Sequence, residues 1–288
     1  MNAIRAAGFR RVRGGSLTAG ALALVAGLTV APAAMADDVD LISNKGYASL
    51  GVFTNSSELK IRVDGEAGEQ GTEVDWNSQF GDDEKTRFRL DGVYRFTPKH
   101  HLRMMYTDYS RSNTGTLEED ITWQGDTILA GSSVTGENSF SIIEAAYEYG
   151  FHPSEDLEFA LSAGLHWAAF ESSIKTDIQT PGGSASDTLG GNVSVDMPLP
   201  VFGGRALWRM GGDFYLDAMV QWFALSIDEY DGSILNYRAG LLWQPSKWVG
   251  LGIGYDSFKV DVDVDKDKFK GSLDWTYSGP QIFYNVSF

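Results

Sequence analysis

Arg87, Arg89, Asp91 and Arg95 occupy alternate positions of one short stretch, with Phe88, Leu90, Tyr94 and Phe96 in the opposite phase. Period-two spacing is that of a strand, and it gathers ionic groups on one face and apolar groups on the other. The same division puts Arg103, Glu144, Glu148, Glu158, His166, Arg205, Arg209, Asp217, Arg238 and Asp274 on the polar faces of further stretches. Two kinds of chemistry suit such a set. Enclosed together, opposite charges neutralise one another, because an unpaired buried charge is costly. Alternatively they line a narrow path that selects ions or small solutes.

Catalysis asks for more than this. His166 shares a phase with Glu158 and is placed to approach Glu144 or Glu148, an arrangement that serves hydrolysis only if a nucleophile stands beside it. A lone His facing a carboxylate is more often a structural hydrogen bond, and His100, His101 and His152 fall at expected turns. The run Asp261 to Asp267 alternates acids with Val262, Val264 and Lys266. Carboxylates bind calcium, but Lys266 stands where an EF-hand loop requires Gly and no Glu closes the loop. It reads as a solvated strand end, and neither a metal nor a cofactor is expected. The chain has no cysteine, which excludes thiol chemistry and cysteine metal sites.

Strands must position these groups, and the sequence marks them clearly. Ile143, Ala145, Tyr147, Tyr149 and Phe151 oppose Glu144 and Glu148, while Phe159, Leu161, Ala163, Leu165 and Trp167 oppose Glu158, Ser162, Gly164 and His166. Leu235, Tyr237, Ala239, Leu241 and Trp243 oppose Asn236, Arg238 and Gln244. A soluble sandwich rarely buries so charged a face. Apolar residues turned to lipid and ionic ones enclosed by a cylinder of backbone account for the pattern, because closed barrels and helices alone satisfy every backbone polar group in a membrane.

The expected fold is therefore all-β, a closed antiparallel up-and-down transmembrane barrel of about ten strands, with about eight or twelve as alternatives. The strands fall near residues 46–63, 86–97, 101–111, 138–151, 157–171, 201–210, 214–227, 234–243, 249–262 and 273–288. Short connections rich in Pro, Gly and Asp alternate with long acidic ones at 64–84, 113–137 and 174–197. In the first strand Ala48, Leu50 and Val52 point opposite to Leu59, Ile61 and Val63, and similar phase changes follow Tyr255 and Ser278-Gly279-Pro280. Either a bulge or a strand that runs on past the bilayer explains each.

Residues 1–36 read as a cleaved export signal: Arg5, Arg10, Arg11 and Arg13, then an apolar stretch from Leu17 to Val30, then Ala34-Met35-Ala36. Residues 37–288 then form the barrel, with a net charge of about −20 once the four signal arginines are lost, which excludes nucleic acid as a partner. The last residues place Ile282, Tyr284, Val286 and Phe288 on one face and end in an aromatic. That ending resembles the assembly signal of bacterial outer-membrane proteins, which implies periplasmic chaperones and the barrel assembly machinery as partners during biogenesis.

The strand pattern from Gly46 to Phe288 resembles the OmpA-type group of small outer-membrane barrels, in an uncharacterised proteobacterial branch. Arg87-Phe88-Arg89-Leu90, Tyr230-Asp231-Gly232-Ser233, Gly252-Ile253-Gly254-Tyr255 and the stretch from Leu273 to Pro280 carry that resemblance. It implies an outer-membrane location with both termini periplasmic and the long loops outside, in contact with membrane lipid and lipopolysaccharide. OmpA continues into a peptidoglycan-binding domain, whereas this sequence stops at its final strand, so wall anchoring is not expected. No serine context around His166 resembles that of outer-membrane lipases, and no paired acids stand beside an Asp-His dipeptide as in omptin-type proteases. The expected role is non-enzymatic, in envelope integrity or surface interaction, with a plugged lumen. A narrow channel is the alternative, and a hydrolytic barrel using His166 a third.

Overall fold

The computed structural model describes residues 39–288 apart from 66–68, 82–84, 178–187, 190, 228–229 and 267–268. The export signal lies outside the described residues. Ten long strands follow one another: β1 Gly46–Val63, β2 Lys85–Thr97, β3 His100–Thr116, β4 Ser133–Ser154, β5 Leu157–Asp177, β6 Asn192–Gly211, β7 Phe214–Ile227, β8 Tyr230–Ser246, β9 Val249–Lys266 and β10 Phe269–Ser287. Each pairs antiparallel with its sequence neighbour, and β10 returns to pair with β1. The sheet thus closes, which removes both edges. Tight turns at one end join β2 to β3, β4 to β5, β6 to β7 and β8 to β9; this is the turn end, and the longer connections define the loop end.

All ten expected strands are present, and most are longer at the loop end than the alternation suggested. β6 begins at Asn192 rather than near Val201, because Pro198 and Pro200 interrupt the sequence pattern yet still pair with Trp167 and Leu165 of β5. Proline lacks an N–H, so it is tolerated where a strand needs to pair on one side only.

On most strands the outward-facing apolar residues lie in the turn-end part. On β5 they run from Phe159 to Ala169, after which Glu171 and Lys175 face solvent. At strand rise and ordinary barrel tilt that run spans about 25 Å, the height of a lipid-facing band, and the strand continues for about 20 Å beyond it.

The continuation explains the phase changes. In β10 the odd-numbered residues from Gly271 to Ser287 face inward, and the pairing with β9 shows no shift at Tyr255 or at Pro280. What inverts is the environment. Within the band Gln281 and Asn285 are enclosed while Ile282 and Tyr284 are exposed; beyond it Leu273, Trp275 and Tyr277 are enclosed while Asp274 and Thr276 face water. Bulges are not the cause.

Inside the extension, Phe53, Tyr109, Phe140, Phe258, Trp275 and Tyr277 belong to one apolar core that fills the bore. Burying each large apolar side chain contributes about 1.5–3 kcal/mol. Helix α1, Trp76–Phe80, closes this core at the loop end, its first amides held by the Asp75 carboxylate. A hairpin of Ile121–Trp123 and Asp126–Ile128 lies beside it, with the Trp76 and Trp123 rings 6.2 Å apart. Its tip, Gln124-Gly125, has φ of 53° and 88°, the left-handed pair that a two-residue hairpin turn requires.

At the turn end a second apolar cluster joins Tyr47, Val93, Leu207, Tyr215, Leu242 and Phe283 to Leu41 and Ile42 from the segment before β1. That segment is strapped across the mouth. Tyr215 donates to the Val39 carbonyl at 2.9 Å, Arg209 pairs with Asp40 at 2.9 Å, and Asn44 donates to Ser287 Oγ at 2.6 Å.

Candidate functional site

Between the two apolar clusters lies a layer of ionic side chains, which the inward phase of the band-level strands places there. One group centres on Asp91 of β2. Arg89 contacts Asp91 at 2.9 Å and Asp256 of β9 at 2.7 Å, and Arg238 of β8 reaches Asp91 at 2.7 Å. Arg103 of β3 lies 3.6 Å from Asp91 and 3.3 Å from Glu144 of β4. Glu144 also accepts from Gln221 at 2.6 Å, and Asn236 donates to Gln221 at 3.0 Å. Three arginines thus face three carboxylates.

The second group lies nearer the turn end and centres on Arg205 of β6. It contacts Glu148 at 3.2 Å and Glu158 at 2.5 Å, and Glu158 also holds Arg95 at 3.0 Å. Arg205 donates to the Tyr47 hydroxyl, which itself donates to Asp217, each at 3.3 Å. His152 approaches Glu158 at 3.2 Å. Here two arginines face three carboxylates, so a partly buried imidazole beside Glu158 is electrostatically well placed.

Most residues expected in the lumen meet there: Arg89, Asp91, Arg95, Arg103, Glu144, Glu148, Glu158, His166, Arg205 and Arg238 are all enclosed, and Asp217 faces inward to Tyr47. Arg87 is enclosed too, but higher, over the Tyr109 ring at 3.6 Å. Two expectations need correction. Asp274 faces outward, half exposed, with Lys259 at 3.7 Å, because it lies beyond the lipid band where polar residues turn to water. Arg209 sits at the mouth and clamps Asp40 and Asp156 rather than joining the ionic layer.

Two members of the layer were not anticipated. Asp256 follows the phase change at Tyr255, so extending the alternation of Leu251, Ile253 and Tyr255 by one residue would have found it. His101, assigned to a turn, is enclosed between Glu148 at 3.8 Å and Glu158 at 3.9 Å. It shares the phase of Arg103, and that was the available signal.

His166 lies 3.3 Å from Glu144 and is wholly enclosed, with the Phe258 ring 6.1 Å away on the loop side. The acids Asp261, Asp263 and Asp265 point off the barrel, alternating with inward Val260 and Val262; Asp267 lies outside the described residues.

No family model and no curated relative matches the chain. Among solved structures, the outer membrane protease OmpT from Escherichia coli superposes with a TM-score of 0.57 at 10% identity, over 88% of this chain and 100% of that one. Ail, the attachment invasion locus protein of Yersinia pestis, gives 0.34 at 11% identity over 84% and 99%, and the outer membrane protein AlkL gives 0.36 at 10% over 90% and 98%. The OmpT likeness is one of fold alone. With the closed ten-stranded sheet, the lipid-facing band and the enclosed ionic layer, it makes this chain a bacterial outer-membrane β-barrel protein.

Proposed function

We propose that the protein is a non-enzymatic barrel of the outer membrane whose bore is closed, and whose loop-end extension stands outside the cell as a rigid pedestal for surface contacts. The observation that carries this reading is the ionic layer: its arginines and carboxylates contact one another across the bore, and an apolar cluster lies above and below it. A conducting path needs water along the axis, whereas here ion pairs between facing strands cross the bore. A side-chain-filled bore also agrees with the OmpA-type resemblance.

In this reading the turns and both termini are periplasmic, the acidic loops are extracellular, and the band contacts lipid and lipopolysaccharide. Among the described residues His166 lies beneath the Phe258 ring and pairs with Glu144, the arrangement of a structural imidazole, which supports the non-enzymatic reading. Planar-bilayer recording tests the proposal. The refolded protein is expected to give no unitary current steps, and reproducible steps that change when Arg89 or Arg238 is neutralised would overturn it in favour of a narrow channel.

A further inference from the structure

His101 of β3 is wholly enclosed, and both of its ring nitrogens face oxygen. Nε2 lies 3.0 Å from the Pro98 carbonyl and 3.9 Å from Glu158 Oε2. Nδ1 has no hydrogen-bond partner among the described residues and lies 3.8 Å from Glu148 Oε2. Carbonyls and carboxylates only accept. A neutral imidazole carries a single N–H, so each tautomer turns one bare lone pair onto oxygen: towards Pro98 if Nδ1 holds the proton, towards Glu148 if Nε2 holds it. The ring has no room to turn away, because it packs on the bare backbone of Gly150, where a Cβ would lie 2.7 Å from His101 Cε1. Only the doubly protonated ring offers an N–H to both sides.

The charges around it call for the same form. Across the ladder His101 stands opposite Arg95 of β2 and Glu148 of β4. Glu158 of β5 and Arg205 of β6 complete the surroundings, with His152 of β4 at the rim and Arg103 on its own strand. Arg95 and Arg205 bring two positive charges to this group, while Glu148, Glu158 and Asp217 bring three negative ones. Arg103 is already matched, since Arg89, Arg103 and Arg238 face Asp91, Glu144 and Asp256. One enclosed negative charge is therefore left over, and an uncompensated buried charge is costly. His152 is the weaker candidate to offset it. Its side chain is 28% exposed, so water serves the ring, and one N–H given to Glu158 at 3.2 Å satisfies its contact with the group.

We propose that His101 is an imidazolium, the third cation of the turn-end group, and that its proton makes the mouth of the bore a pH-sensitive seal. The route from the ring to the strap is short. Glu158 holds Arg95 at 3.0 Å, and Arg95 in turn donates to the Asn44 carbonyl at 3.3 Å and, from its backbone, to the Lys45 carbonyl at 2.8 Å. Loss of the His101 proton leaves three carboxylates with two arginines directly behind these ties. Protons have a way in. An open cavity of about 800 Å³ at the mouth is lined by the strap, Pro98 and His152, and His152 touches the same Glu158 oxygen that His101 faces.

Imidazole nitrogen spectra of the refolded protein, isotopically labelled at histidine and assigned through the backbone, read the proton directly. At about pH 7, just above the range in which a free imidazole takes up its proton, His101 is expected to show two N–H nitrogens and no bare one. Glu148→Gln removes the charge and presents an amide N–H, so one bare nitrogen should appear on His101 under the same conditions. Stability gives the second reading. A protein that takes up a proton on folding loses stability as pH rises, so the folding equilibrium constant from urea titration should fall by up to about tenfold per pH unit while that proton is being lost. His101→Gln should flatten this slope. His100→Gln, whose ring bonds Tyr147 on the outer surface, should keep it. Heat-modifiable migration on gels confirms that each variant is folded, and the spectrum of the unaltered protein needs no variant at all. A bare nitrogen on His101 in that spectrum, or a slope in His101→Gln equal to that of the unaltered chain, would overturn the proposal.

Discussion

Arg89 of β2 donates to Asp256 of β9 across the bore at 2.7 Å, and each side chain is 1% exposed. Neither residue has access to water that would screen the other, so the bond joins distant strands at full desolvation cost. Removing one partner leaves an uncompensated charge. Asp256→Ala is expected to destabilise the barrel by about 3–5 kcal/mol, and the paired change Arg89→Met with Asp256→Leu to recover much of that loss. Urea titration followed by tryptophan fluorescence reads both. Equal destabilisation by the single and paired changes would show that the pair is not the source.

The lipid band and the extension beyond it impose opposite rules on outward residues, and two substitutions separate them. Leu241 of β8 faces lipid, so Leu241→Arg should cost about 2–4 kcal/mol near the midplane. Asp274→Arg, outward on β10 beyond the band, should cost about 1 kcal/mol or less, since its half-exposed contact with Lys259 is a surface pair. Refolding titrations into vesicles supply the two numbers. Similar losses at both sites would mean that the band boundary is misplaced.

How legible this was follows from the same boundary. Strand positions could be read because Arg87 to Arg95 or Leu157 to Trp167 alternate strictly under lipid, where every outward group must be apolar. The rule that polar means inward then fails where lipid ends. It misplaced Asp274 and hid Asp256, although neither strand breaks its phase. The length of β4 is hidden for the same reason, because Ser139, Glu137 and Thr135 alternate with inward residues too weakly to look like a strand, while in β6 Pro198 and Pro200 interrupt the pattern. Pairings such as Arg205 with Glu148 and Glu158 depend on which strands face one another across the bore, and no local pattern carries that. The strap of residues 39–45 has no periodicity at all. Its hold on Arg209 and Tyr215 is a tertiary fact.

Gly252 of β9 stands directly opposite Phe283 of β10, and a Cβ built at Gly252 would meet the Phe283 ring at 2.1 Å. The ring belongs to the turn-end cluster and is enclosed, so it has little room to withdraw. Gly252→Ala is expected to destabilise by about 1–3 kcal/mol through overpacking, and Phe283→Leu in the same chain to relieve part of it. Failure of the second change to compensate, in the same urea titration, would place the strain elsewhere.

The strap supplies the remaining prediction, because it packs two apolar side chains into the mouth and adds a few polar ties. Leu41 is 1% exposed and Ile42 5%, packed on Val93, Leu207 and Phe283, while the Asp40–Arg209 pair is partly open to solvent. Apolar burial should therefore outweigh the ion pair. Asp40→Ala is expected to cost about 1 kcal/mol or less, and Leu41→Ala about 2–5 kcal/mol if the mouth does not collapse around the gap. Access tells the two apart without a stability measurement. With Val93→Cys as the only thiol, a membrane-impermeant maleimide should react slowly in the otherwise unchanged chain and in Asp40→Ala, and at least tenfold faster in Leu41→Asp. Equal rates in all three would mean that the mouth is sealed by the strand ends themselves and that the strap merely rests on them.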